Sequence, residues 1–268
     1  MGGVGRDAVR RVANVAGAVF QVGVTGLLGA SIQEQVDRAT PLIEPALYAF
    51  FVWGVIFSLS LAYAVYQALP ANREDPLLRR IGHFTAVAFL CTGLWSVFVP
   101  LGLFSLALAM LVVVFACLLV AYLRIADSGR GVVRGVGRWL VAAPVGVFLG
   151  WITAAIAVSA SSEAVRYGLV EGGSIGEAVL GSFLLLLGSF VAATVVRWGR
   201  NGPPQGYTVY GATVLWALVG IVVGQYDASL LTTAAAVVSS VPVVLAVLGN
   251  LRGGRAPRTG ADRTVRTV

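Results

Sequence analysis

From Ile81 to Leu123 the chain runs for 43 residues without one Asp, Glu, Lys or Arg. As a single helix that run would extend about 65 Å, roughly twice the hydrocarbon thickness of a bilayer. It must therefore fold back on itself. Pro100 and Gly102 mark the reversal, which gives helix 3 (Ile81 to Val99) and helix 4 (Leu101 to Leu123) as a tight hairpin. A chain that carries such a run in water would aggregate, so the surrounding solvent is lipid. The bulk numbers agree: 58% of the 268 residues are apolar, 12% are charged and the mean hydropathy is +0.87, against about a quarter charged in soluble domains.

The remaining apolar runs complete an all-α integral membrane protein of eight spans. Helix 1 covers Val12 to Gln33, longer than the roughly 7 to 15 apolar residues of a signal peptide, with only a weak cleavage site at Gly29 to Ser31. Asn14 and Gln21 are expected to bond across it, and Gly23, Gly26 and Gly29 to admit a second helix. An acidic connector, Glu34 to Pro45, leads to helix 2 (Ala46 to Leu69). The stretch Ala71 to Arg80 reads as an aqueous linker. Helix 5 runs from Trp139 to Ser162 with Gly146, Gly150 and Ala154 spaced for close contact. Helices 6 (Ile175 to Val196), 7 (Tyr207 to Gly224, carrying Gly220 and Gly224) and 8 (Ala228 to Leu251) follow. Residues 252–268 are expected to be a disordered tail.

Charge distribution tests that count. With eight helices one side of the membrane collects +12 and the other −5, recovering the formal +7. Only Arg38 and Arg166 lie on the negative side. The positive-inside rule then places both termini in the cytoplasm of a multi-pass cell-membrane protein. All nineteen basic residues are Arg, and they alternate with apolar runs instead of forming one basic face, so nucleic acid is not the expected partner. Membrane lipid is.

No charge sits in the middle of a span, which disfavours a coupled ion or proton transporter. No nucleophile stands beside a base, no carboxylates pair and no phosphate loop follows a strand, so no catalytic centre is evident. Cys91 and Cys117 read as small buried hydrophobes. His83, the single histidine, reads as an interfacial residue, with haem-iron ligation as the rival reading.

Aromatic residues are what the chain does supply. In PALYAFFVWGVIF, Pro45 to Phe57, Phe50, Trp53 and Phe57 fall at i, i+3 and i+7 on one helical face. That face is either a packing seam or the wall of a pocket for a flat apolar ligand. Trp95 within CTGLWSVF and Phe148 and Trp151 within PVGVFLGWITAA lie equally deep, whereas Tyr122, Trp139, Trp198 and Tyr207 sit at span ends, where membrane interfaces attract Trp and Tyr.

These features in this order resemble the TspO/MBR family, the tryptophan-rich sensory and translocator proteins, over about Val12 to Ser162. The resemblance implies a five-helix bundle, residues 1–162, to which 163–251 add three helices. It implies a pocket under the connector between helices 1 and 2 that binds porphyrins and related tetrapyrroles. Carried over by position, Trp53, Trp95 and Trp151 match the family tryptophans and Ala155 the small residue that abuts the ligand. Thr92 and Ser159 stand where the family has Asn, polar still but shorter and without an amide. With Tyr48, Phe50, Phe57 and Phe148 these make the expected ligand-binding set.

The function so implied is a membrane-embedded binding or sensory protein for a planar, apolar, mildly anionic ligand, most readily a porphyrin or haem held without a covalent bond. Its carboxylates would lie near the acidic connector, which closes a dry chamber. A facilitator or exporter of amphipathic molecules and a tetrapyrrole-degrading protein stay open as rivals. A homodimer stays open too, since the small-residue stripes suit pairing within one chain or between two.

Overall fold

The computed structural model describes residues 2–38, 41–129 and 135–253, and of residues 2–4, 6, 36–38 and 138 it describes the backbone alone. The expected tail therefore lies outside the described residues, save its first two positions, which belong to the last helix. Among the described residues eight helices are long and apolar enough to cross a membrane. They are α1 (Gly2–Arg38), α2 (Val52–Ala68), α3 (Pro76–Phe98), α4 (Phe104–Asp127), α5 (Ala143–Arg166), α6 (Ile175–Trp198), α7 (Pro204–Gln225) and α8 (Leu230–Gly253).

Several boundaries differ from the sequence reading, each for a local reason. Helix α3 begins at Pro76, five residues early, because Asp75 accepts from the Leu77 and Leu78 amides at 2.8 and 3.0 Å and proline suits the first helical position. Helix α4 begins late because Gly102 at φ +72° completes the reversal before the chain turns helical. The aromatic stretch enters as a 3₁₀ turn, Leu47–Phe51, before α2 proper. The turn Arg138–Ala142 is π-helical and leads into α5.

Five helices close a ring in the order α1, α2, α5, α4, α3, each packing on the next. Outside it α7 lies along α5, α8 lies on α6 and α7, and α6 also meets α5. One buried cluster runs through both parts, from Ala18 and Tyr63 to Val243 and Ala246. The expected small-residue contact on α5 is real: a Cβ at Gly146 would stand 2.5 Å from the Gly206 carbonyl oxygen, and one at Gly150 2.7 Å from that of Tyr210. The matching expectation for α1 fails, since a Cβ at Gly23, Gly26 or Gly29 would meet nothing within 4 Å.

Polar groups bind α1 to its neighbours instead. Asn14 is fully buried; its amide donates to the Arg10 and Gly82 carbonyls at 2.9 and 2.6 Å and accepts from Thr85 at 2.6 Å. Arg10 reaches across to Gln67 Oε1 at 3.2 Å and the Arg73 carbonyl at 2.9 Å, and only a glycine at position 82 leaves room for its stem. Gln21 departs from its expected role: it is fully buried and neither amide atom has a partner among the described residues. Tyr122 and Tyr207, at span ends, face protein and not lipid. Both are buried at the junction of α4, α5 and α7, whereas Trp139 and Trp198 are exposed as an interfacial belt requires.

Candidate ligand-binding site

The aromatic face of the 3₁₀ turn and α2 points into the ring. Trp53 stacks on Trp95 of α3 with centroids 5.5 Å apart and on Phe57 at 5.4 Å. It meets Trp151 and Phe148 of α5 edge-on at 6.2 Å each, and Phe50 meets Trp151 edge-on at 5.6 Å. The seam and the pocket wall, left as alternatives by the sequence, are therefore the same surface. The rings pack on one another on one side and border a cavity on the other.

That cavity has a volume of about 240 Å³ and is partly open. Its inner end is Phe50, Trp53, Trp95 and Trp151; its flanks are Thr25, Gly29 and Ile32 of α1, Phe104 to Leu111 of α4, and Ala154, Ala155, Val158 and Ser159 of α5. Glu44 and Pro45 of the connector form part of the wall, and Ser162, Glu163 and Arg166 form the rim. The connector does not seal it. The Trp151 indole N–H is buried without an acceptor among the described residues, and a buried donor left unpaired costs about 1–3 kcal/mol.

The rim is tied together across α4 and α5. Glu163 accepts from Ser105 Oγ at 2.6 Å and from Arg166 Nε at 3.1 Å, Ser105 also bonds the Tyr167 hydroxyl at 2.8 Å, and the Arg166 guanidinium lies 3.5 Å over the Phe104 ring.

The connector is held from outside the ring, by α6 and α7. The buried Glu177 carboxylate accepts from the Leu42 amide at 2.8 Å and the Gly173 amide at 2.7 Å. The Ala46 amide donates to the Gly220 carbonyl at 2.9 Å, Gln225 Nε2 donates to the Glu44 carbonyl at 2.8 Å, and Trp216 Nε1 donates to the Ala49 carbonyl at 3.0 Å. Gly220 and Gly224 thus serve not a helix pair but the seating of Pro45, Ala46 and Ala49 against α7, and Gly181 of α6 leaves room for the fully buried Ile43.

Six of the ten expected residues line the cavity: Phe50, Trp53, Trp95, Trp151, Ala155 and Ser159. Four do not. Tyr48 sits edge-on against Trp216, because the 3₁₀ turn rotates it away from the ring. Phe57 and Phe148 stand behind Trp53, and Phe148 stacks on Phe89. Thr92 is fully buried on another face of α3 and donates to the Ala88 carbonyl at 2.8 Å. His83 is exposed near the start of α3, twelve residues and so about 18 Å along the helix from Trp95. No group of three or more His, Cys, Asp or Glu able to hold a metal occurs among the described residues. The rim residues Glu163 and Arg166 escaped the sequence reading, although Arg166 was already conspicuous as one of two arginines on the negative side.

No curated protein matches the chain, and no solved structure does. A family model described as TSPO-like protein matches residues 11–248, a span that begins in α1 and ends in α8. This multi-pass membrane protein belongs to the TSPO-like protein family.

Proposed function

We propose that the protein binds a planar, largely apolar small molecule in the cavity beside Trp53, Trp95 and Trp151, with a tetrapyrrole as the ligand class and binding or sensing as the role. The observation that carries this reading is the meeting of three indoles from three helices on one cavity wall. Desolvation of a large flat ring against those faces supplies the affinity, and the partly open rim leaves room for a ligand edge to protrude. Among the described residues lining the cavity there is no His, Cys or Met. A porphyrin edge would enter the cavity with the rest of the ring protruding through its open side, and haem would be held by its ring and not through its iron.

The arginine distribution supports the orientation with both ends of the chain in the cytoplasm of a cell-membrane protein and the cavity rim on the opposite side. Titration of purified protein with protoporphyrin IX, followed by tryptophan fluorescence, tests the binding. Saturable quenching that is lost in Trp53→Ala is the expected result. Absence of quenching in the wild-type protein overturns the reading.

A further inference from the structure

Resting on that reading, we infer that Arg166 is the residue that selects the ligand's polar end, and that the site takes a flat ring carrying a carboxylate. Three observations converge. Arg166 is one of only two arginines in the segments that together carry −5, so topology does not account for it. It is the one cation among the described residues that line the cavity. Its guanidinium is held on one side: Nε bonds Glu163 at 3.1 Å and Cζ lies 3.5 Å from the Phe104 ring centroid.

That anchoring uses Nε and one face of the group. The two Nη nitrogens have no hydrogen bond to any described residue, so the outer fork, the part that matches a carboxylate in two parallel bonds, is left for a ligand. The rim carboxylate is already occupied: Glu163 accepts from Ser105 and from Arg166 Nε. The outer end thus asks the ligand for an anion. The acidic connector, where a carboxylate would meet like charge, is not the place for it. The α5 rim is.

The test compares protoporphyrin IX with its dimethyl ester, which keeps the ring and removes both negative charges, on the full-length protein in detergent by tryptophan quenching. The acid is expected to bind about 10- to 100-fold tighter than the ester, the range of a charge-assisted fork. In Arg166→Gln that ratio falls to within about threefold of unity. Arg166→Lys, which keeps the charge without the fork, falls between. Raising salt from 50 to 500 mM lowers the acid's affinity in the wild-type protein and leaves the ester's alone. Equal binding of acid and ester by the wild-type protein, which needs no variant to fold, overturns the inference while leaving the pocket reading intact. So does a preference for the acid that persists in Arg166→Gln. Failure of both probes to quench overturns the pocket reading itself.

Discussion

Replacing Gly224 by alanine places a methyl carbon 2.7 Å from the Ala46 nitrogen and 2.7 Å from the Glu44 oxygen. Both are backbone atoms, so no rotamer change relieves the clash. Restoring ordinary contact near 3.4 Å moves the connector about 0.7 Å off α7. Overpacking of that kind costs about 1–3 kcal/mol. The shift also lengthens Ala46 N to Gly220 O and Gln225 Nε2 to Glu44 O, at about 0.5–1.5 kcal/mol each. Against this, alanine in place of glycine inside a helix returns about 1 kcal/mol, so Gly224→Ala should be less stable by about 1–5 kcal/mol. Gly26→Ala on α1 is the matched control, because its methyl meets nothing within 4 Å and only the propensity gain of up to about 1 kcal/mol remains. Thermal unfolding of the two variants in the same detergent, followed by tryptophan emission, should move the melting temperature in opposite directions. Since Pro45 leads directly into Phe50 and Trp53, the emission maximum of Gly224→Ala should also shift before unfolding. A melting temperature for Gly224→Ala at or above that of Gly26→Ala would refute the seating of the connector on α7.

Further outcomes follow from the same contacts. Trp53→Ala removes two stacked and two edge-on partners and should cost about 3–5 kcal/mol, read as a loss of thermal stability with Trp95→Phe as the milder comparison. Asn14→Leu breaks three bonds, while the Thr85 hydroxyl keeps Tyr63 and the Gly82 carbonyl as partners; it should destabilise by about 1–3 kcal/mol, whereas Gln21→Leu, which removes two atoms with no partner among the described residues, should be neutral or stabilising. Paired denaturation curves that rank them the other way would show that Gln21 bonds something within the bundle. Glu177→Gln turns an acceptor of two amides into a group that must aim its NH₂ at one of them, at about 1–3 kcal/mol. Proteolysis or hydrogen exchange at residues 41–49 should rise in that variant and stay unchanged if Glu177 does not hold the connector.

The sequence by itself determined the class, the number of spans and the central cluster of the site. Charge-free runs cannot be hidden from lipid, arginines sort by side, and Phe50, Trp53 and Phe57 at helical spacing must share a face whatever lies opposite. The TspO-like order of motifs pointed to Trp95, Trp151, Ala155 and Ser159 as well, and all four border the cavity. Rotation about each helix was less legible, because in apolar helices nearly every residue is hydrophobic and periodicity carries little phase. Tyr48, Thr92, Phe57 and Phe148 lie off the cavity lining for that reason. Only the tertiary structure decided what Gly220, Gly224, Gly181, Trp216, Glu177 and Gln225 are for. Their partner is an irregular connector more than a hundred residues away, and a backbone amide or carbonyl seeking a hydrogen bond leaves no mark in the one-letter code. The same holds for Arg166, whose type and topology were visible but whose open fork depends on what Glu163, Ser105 and Phe104 leave unoccupied.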